Sequence, residues 1–338
     1  MVRPTIHDVA RTARVSLATV DRVLNKRGGV AEKSVKKVLE AIEVTGYVRD
    51  LTAANLSRGR EYRFTFLVPD SQTGFMGLMR TALETQRAAL RDHRVKLRVV
   101  AVPAFDVAAQ AAALASLSHR STDGVAVVAT EAPEVQAEMA RLSSDGVPVV
   151  ALVADLPRAK RDAYVGPDNV VAGRTAAAFM GRFVGARRGG ILMIAGSLAA
   201  RDHMERVMGF RMVMAERFPQ LNLLPAVQGF DTPETVKALT LAALREGPLA
   251  GIYAVGAGRS GLIDALRDSF DRPVTIAHDL TTSARAALLS GELDLVIDQN
   301  PAAEVQAAIS LMRDLTDQRP INPNSGSVPL SIFVRENV

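Results

Sequence analysis

The sequence predicts two parts of different class: an N-terminal α-helical helix-turn-helix head, and an α/β body of two doubly wound parallel-sheet subdomains. Three observations predict it. Two short amphipathic helical stretches lie a tight turn apart within the first 25 residues, which is the helix-turn-helix pattern. From residue 62 onward short apolar runs alternate with helical ones, the βαβ rhythm of parallel sheets covered on both faces. Positive charge gathers in the head: residues 1–63 hold 13 Lys and Arg against 7 Asp and Glu, leaving 28 and 29 of the chain's 41 and 36 for the rest. A basic head on a neutral body is the footprint of a part that meets phosphates.

In the first helix Ile6, Val9, Ala10 and Ala13 recur at helical spacing, forming one apolar stripe. Thr5 is placed to cap it, its hydroxyl accepting from a free backbone N–H. Ser16 is placed to cap the second helix. There Val20, Val23 and Leu24 should face inward, and Leu17, Ala18, Asp21 and Arg22 outward. The outward face would enter a major groove of DNA. Arg22 can meet guanine O6 and N7 bidentately; a phosphate contact or a solvated arginine is the plainer alternative. Leu17 and Ala18 can offer only apolar contact, for instance to a thymine methyl. A third helix is expected from about residue 32 to 45, with Val35, Val38, Leu39 and Ile42 at helical spacing and Gly46 as its stop. Residues 50–60 hold a helix of about seven residues, too short to stand alone in water. Its Leu56 could wedge into a minor groove; an ordinary linker is the alternative.

In the body, strands are expected at 63–68, 96–102, 124–129, 148–153, 190–195, 251–255, 274–278 and 294–297, and helices at 76–93, 107–118, 169–184, 205–218, 235–246 and 260–271. So many strands imply two similar subdomains. The chain should cross between them at 164–169, return near 298–301, and cross again near 322–328. The expected organisation is a head at 1–47, a hinge at 48–61 and a body at 62–338. The body divides into one subdomain of about 62–166 with 299–323, and another of about 167–298 with 324–338. In open α/β sheets ligands sit beyond the carboxyl ends of strands. That directs attention to 72–76, 201–206, His278-Asp279 and Asp298-Gln299.

The chain has no Cys, which excludes disulfides, thiolate metal sites and cysteine nucleophiles and fits a reducing compartment. No apolar run approaches the roughly 18 residues of a membrane span, and no signal-peptide core opens the chain. A cytoplasmic protein without a membrane partner is expected. No G-x-S-x-G, P-loop or metal-spaced His cluster is present. His203 with Asp202, and His278 with Asp279, are the acid/base pairs worth naming; neither has an evident nucleophile, and both histidines read as structural. No catalysis, metal or cofactor is expected.

Residues 3–60 resemble the head and hinge of the lactose-repressor (LacI/GalR) family of transcription regulators. The likeness rests on Thr5-Ile6-His7-Asp8-Val9-Ala10, Val15-Ser16, Thr19-Val20, Arg22-Val23-Leu24-Asn25, Gly46-Tyr47 and Ala53-Ala54-Asn55-Leu56. It implies that Leu17, Ala18 and Arg22 read bases, and that Leu56 wedges into the centre of a palindromic operator. Thr5, His7, Ser16, Thr19, Asn25, Ala53 and Asn55 are implied to border the DNA. Two departures stand out: Arg14 where the family's turn usually has Gly, and Asp21 where it usually has Ser.

The body resembles the periplasmic sugar-binding-protein fold (type I) that this family uses as its sensor. That resemblance implies a sugar or polyol ligand held by Phe75, Asp202, Arg206, Asp279 and Gln299. Phe75 would flank a sugar ring, Arg206 and Asp279 would pair with hydroxyls, and Gln299 would close the cleft. Phe75 in the core, and Arg206 paired to Asp202 one turn away, are the plainer alternatives. Family members commonly carry an Asn where this chain has Ala254-Val255-Gly256-Ala257, and Arg259 is the nearest substitute. The implied protein is a ligand-responsive regulator of transcription, a repressor by expectation, acting as a homodimer on double-stranded DNA. The C-terminal run lacks the leucine heptads that would join dimers into tetramers. A sugar-modifying α/β enzyme and a stand-alone sugar-binding protein are the competing expectations.

Overall fold

The computed structural model describes residues 4–24, 29–45, 61–90, 94–267 and 272–338. The chain separates into two compact units, residues 1–60 and 61–338. Asn25, Ala53, Asn55, Leu56 and the short hinge helix lie outside the described residues.

The first unit contains helices α1 (Ile6–Ala13), α2 (Leu17–Leu24) and α3 (Glu32–Thr45). Val9, Ala10, Ala13, Val20, Val38 and Ala41 form its core, with Ile6, Val23, Leu24 and Ile42 packed around them. Thr5 and Asp8 form a capping box at the start of α1. The Thr5 hydroxyl donates to Asp8 Oδ2 at 2.7 Å, and the same carboxylate oxygen accepts from the Thr5 backbone N–H at 2.8 Å. An acidic third residue offers the stronger, charge-assisted acceptor. The Thr5 bonds hold the Asp8 carboxyl below its usual range. Ser16 caps α2 as expected, its hydroxyl accepting from Thr19 N at 3.2 Å. Leu39 is a correction: it is 53 % exposed, and Ala41 is buried. Each helical residue turns about 100° from its neighbour, and α3 buries the stripe of Val38 and Ala41, leaving Leu39 outside it.

In the second unit, β1 (Tyr62–Pro69), β2 (Val95–Val102), β3 (Gly124–Val127), β4 (Val149–Leu152) and β5 (Ala163–Val165) pair in parallel, in the order β2-β1-β3-β4-β5. Helices α4 (Gly74–Ala89), α5 (Val107–Ala115) and α6 (Pro133–Ser144) connect them. Side chains alternate between two cores, one on each face of the sheet. Phe64, Phe66, Ala126, Val150 and Leu152 enter one; Leu67, Val125, Val127, Val149 and Ala151 enter the other. This two-residue period with apolar groups on both faces explains why the strands read as continuous apolar runs.

The chain then forms α7 (Asn169–Val184), β6 (Gly190–Ala195), α8 (Arg201–Arg217), β7 (Asn222–Leu223), β8 (Val227–Gln228), α9 (Pro233–Glu246), β9 (Leu249–Ala254), α10 (Arg259–Leu266), β10 (Val274–His278), α11 (Thr282–Ser290) and β11 (Leu295–Asp298). Helix α12 (Pro301–Thr316) follows, and β12 (Ser331–Phe333) comes near the end. The second sheet has the order β12-β11-β10-β9-β6-β7, with β8 also on β6. Strand β12 runs antiparallel to β11. Ile191, Met193 and Ala195 face one core of this sheet, and Leu192 and Ile194 the other.

Three described segments pass between the sheets. The chain leaves the first after Val165 and starts α7 at Asn169. It leaves the second after Asp298, and α12 returns to the first sheet, where Val305, Ile309 and Met312 join the core of Phe64, Met79 and Leu83. The last passage lies against the first: Gly166 N donates to Gly326 O at 3.0 Å, and Val328 N to Gly166 O at 3.1 Å. Several sequence assignments shift, and two bear on the site. Tyr164, read as the start of a crossover, belongs to β5, and α8 begins at Arg201 instead of 205.

Candidate functional site

In the head, α2 presents Leu17, Ala18 and Arg22 to solvent, and Ser16 and His7 are exposed nearby. Thr19 is half-buried, its hydroxyl 2.9 Å from that of Ser16. The turn before α2 is made by Arg14, whose φ of 51° is left-handed. Its N–H closes the end of α1 on Ala10 O and Arg11 O, a job usually given to glycine. A short helix with an exposed, partly basic face and an ordered N-terminus is suited to lie in a groove and donate to phosphates.

In the body, a cavity of about 430 Å³ opens between the carboxyl ends of the two sheets. Phe75, Asp202, Arg206, Asp279 and Gln299 all line it. The depth of Arg206 is set by the packing of α7 on α8. A Cβ on Gly173 would stand 1.9 Å from the Arg206 carbonyl oxygen, and one on Gly209 2.1 Å from that of Val170. Only glycines let the two helices approach that closely. Arg206, 2 % exposed, donates through Nε to Asn169 Oδ1 at 2.8 Å, through Nη1 to Val255 O at 3.2 Å, and through Nη2 to Gln299 Oε1 at 2.6 Å. Gln299 Nε2 passes the chain on to Asp279 Oδ1 at 2.6 Å. The guanidinium and the carboxylate are thus bridged by an amide and held under one wall of the cavity.

Asp279 sits at φ 66°, just past the end of β10. Burial raises its carboxyl pKa, opposed by Arg259, Arg206 and the Gln299 hydrogen bond. Burial also works against the charge of Asp202, but His203 and Arg206 outweigh it and hold that carboxyl below its usual range. Phe75 belongs to the first sheet's core and also borders the cavity. His203 Nδ1 accepts from Ser197 N at 3.2 Å, while its Nε2 stands 3.8 Å from Asp202 Oδ2. His278 Nε2 lies 2.7 Å from the Tyr253 hydroxyl, and burial holds its pKa well below the usual value, so it is neutral. Of the two, His203 also lines the cavity and His278 does not.

Beside Gly256 the structure places a carboxylate, Asp231. Arg259 turns away from the cavity and donates to His278 O and to Thr281 Oγ1. The space beside Gly256 is taken by Asp231, whose Oδ1 accepts from Ala257 N at 2.7 Å. A Cβ on Gly196 would lie 2.3 Å from that oxygen, and one on Gly256 2.5 Å away. Two glycines thus form the slot for one carboxylate. Phe230, 58 % exposed, borders the cavity beside it. Both residues have left-handed backbones, φ 50° and 58°. Gly229-Phe230-Asp231-Thr232-Pro233 reads as a plain turn before a helix, so no periodic signal could have marked them.

Glu304, in the first turn of α12, was also missed. It is fully buried, its carboxyl oxygens have no hydrogen-bond partner, and burial with Asp279 pushes its pKa well above the usual value. Among the described residues no cluster of His, Cys, Asp and Glu could hold a metal ion, and no helix is long and apolar enough to cross a membrane.

Residues 64–320 match the family model described as periplasmic binding protein domain, and residues 5–50 match bacterial regulatory proteins, lacI family. The HTH-type transcriptional regulator DegA of Bacillus subtilis is 26 % identical over 217 residues, 64 % of this chain and 62 % of that protein. The ribose operon repressor of Halalkalibacterium halodurans is 39 % identical over 80 residues, 24 % of each chain. The matched region therefore spans less than two thirds of these relatives. Among solved structures, a solute binding protein from Burkholderia graminis in complex with D-arabinose superposes with TM-score 0.75 at 21 % identity, covering 82 % of this chain and 96 % of that one. One from Actinobacillus succinogenes with bound D-allose gives 0.74 at 18 % identity, covering 82 % and 99 %. These likenesses show the fold of the body.

Proposed function

Because the chain belongs to the periplasmic binding protein domain family and carries a lacI-family head, we propose that it is a sequence-specific DNA-binding regulator of transcription, a repressor controlled by a small sugar or polyol. The observation that carries this reading is the pairing, in one chain, of an exposed groove-sized helix face with a cavity lined by a buried Arg206–Gln299–Asp279 chain. The relatives matched over part of their length are regulators of transcription, and the fold neighbours hold monosaccharides.

Leu17, Ala18 and Arg22 are the base-reading residues. His7, Ser16 and Thr19 border the backbone, with Thr5 ordering the entry to α1; Asn25, Ala53, Asn55 and Leu56 complete the set. In the cleft, the hydroxyls of a sugar ring donate to Asp279, Asp231 and Asp202 and accept from Arg206. Phe75 and Phe230 supply apolar surface for the ring. Ligand binding draws the two halves of the body together, and in a cytoplasmic homodimer on a palindromic site this changes the spacing of the heads.

The test is a titration of the protein against a palindromic operator library at fixed salt, with and without D-arabinose, D-allose and a wider panel of sugars. A preferred site whose occupancy one sugar changes supports the reading. A protein that binds a sugar yet ignores every duplex is a plain sugar-binding protein, and one that turns the sugar over is an enzyme.

A further inference from the structure

The cavity is bounded by residues from both halves of the body, and an ion pair joins them directly. Glu131 follows β3 in the first half, and Arg201 opens α8 in the second; both line the cavity. Arg201 Nη1 stands 3.3 Å from Glu131 Oε2. The guanidinium also has an ion-pair partner on its own helix, Glu205 one turn along, with Oε1 2.8 Å from Nε, although that Nε makes no hydrogen bond. The three side chains are largely shielded: 28 %, 17 % and 17 % exposed for Arg201, Glu131 and Glu205. Near the cleft the halves also approach at Gly74, where a Cβ would stand 3.5 Å from that of Ala257. That contact is between small groups and offers little attraction.

We propose that Arg201 and Glu131 are positioning residues for ligand capture, their ion pair holding the two cleft walls at binding distance while Glu205 keeps Arg201 aimed across the gap. The proposal rests on reading the cavity as the ligand site. Three features of the geometry support it. The pair spans the cleft itself, so opening the halves must break it. Pre-ordering by Glu205 removes much of the side-chain entropy that usually cancels such pairs. Partial shielding leaves the attraction weaker than a buried pair yet less screened than an open surface one. Capture of an uncharged sugar would then depend on salt, although the sugar carries no charge.

The experiment needs neither DNA nor sugar, so its outcome is separate from that of the regulator reading. The chain has no Cys, so Ser144→Cys on α6 and Lys237→Cys on α9, both exposed, place a dye pair on the two halves of the full chain. Single-molecule energy transfer reports their separation. Glu131→Gln should move the ratio of open to closed molecules about two- to fivefold toward open, the range for a partly exposed pair. Arg201→Gln should do the same. The double variant should do no more than either alone, because both remove one interaction. Arg201→Lys should restore much of the closed population, which a merely structural role of the guanidinium plane would not allow. Raising the salt well past the physiological ~0.15 M should open the parent protein and leave Glu131→Gln unmoved. Unchanged distributions in both single variants, or fully additive effects in the double, would overturn the proposal.

Discussion

Gln299→Ala strikes the amide that bridges Arg206 and Asp279. The substitution deletes two hydrogen bonds of 2.6 Å, one to a guanidinium and one to a carboxyl. Hydrogen bonds to charged groups contribute about 1.5–3 kcal/mol each, which sets an upper range of roughly 3–6 kcal/mol. Two effects reduce it. Arg206 keeps Asn169 and the Val255 carbonyl, and the freed guanidinium and carboxylate attract each other across the gap. A net loss of about 2–4 kcal/mol is expected, read as a lowered urea midpoint at neutral pH. Gln299→Glu sharpens the test. An ionised glutamate could accept from Arg206 but would repel Asp279, whereas a protonated one could also donate to it. That variant should recover stability relative to the parent as pH falls. A loss under 1 kcal/mol for the alanine, or a glutamate variant indifferent to acid, would refute the bridge.

Three further outcomes follow from the same geometry. Arg14→Gly should stabilise the head: a left-handed non-glycine residue costs roughly 1–2 kcal/mol, glycine's extra unfolded-state entropy offsets about 0.5–1 of it, and slower hydrogen exchange across α1 and α2 would show the gain. Glu304→Gln should flatten the dependence of stability on pH. Below the ordinary value of 4.5 both folded and unfolded Glu304 are protonated and its stability is fully present; as pH rises the unfolded chain loses the proton first, and stability is lost until the raised folded pKa is passed. Urea midpoints from about pH 4 to pH 8 should therefore fall less in the variant than in the parent. Arg22→Ala should relax discrimination at one base position by about 1–3 kcal/mol, measured by anisotropy over single-base operator variants; a uniform loss at all positions would reduce Arg22 to a phosphate contact.

Much of this was legible because two periodicities carried it. Apolar groups on both faces made β3 and β6 read as unbroken runs, and Ile6, Val9, Ala10 and Ala13 kept a helical stripe. Strand ends face the cleft in this fold, which pointed to 201–206, 278–279 and 298–299, and the family resemblance singled out Arg206, Asp279 and Gln299 within them. What stayed hidden has physical causes. Asp231 and Phe230 owe their places to two left-handed residues and to the glycines at 196 and 256, which only meet in space. Glu304 looks like an ordinary acid in a helix's first turn; its burial comes from the return of α12 to the first sheet, more than 130 residues after β5. Leu39 was misplaced because helical spacing alone does not say which of two neighbouring stripes a three-helix head will bury. Arg259 was offered as a substitute for a missing amide on closeness in sequence, and closeness in sequence did not bring it to the cavity.

The most direct test of the coupling is to measure one binding reaction in the presence of the other. With the sugar that acts in the operator titration, the dissociation constant for sugar is measured by calorimetry on free protein and on protein saturated with operator, and the constant for operator with and without sugar. If the cleft controls the head, both constants change by the same factor. Sugar affinity that operator leaves untouched would mean that head and body are independent binders sharing a chain.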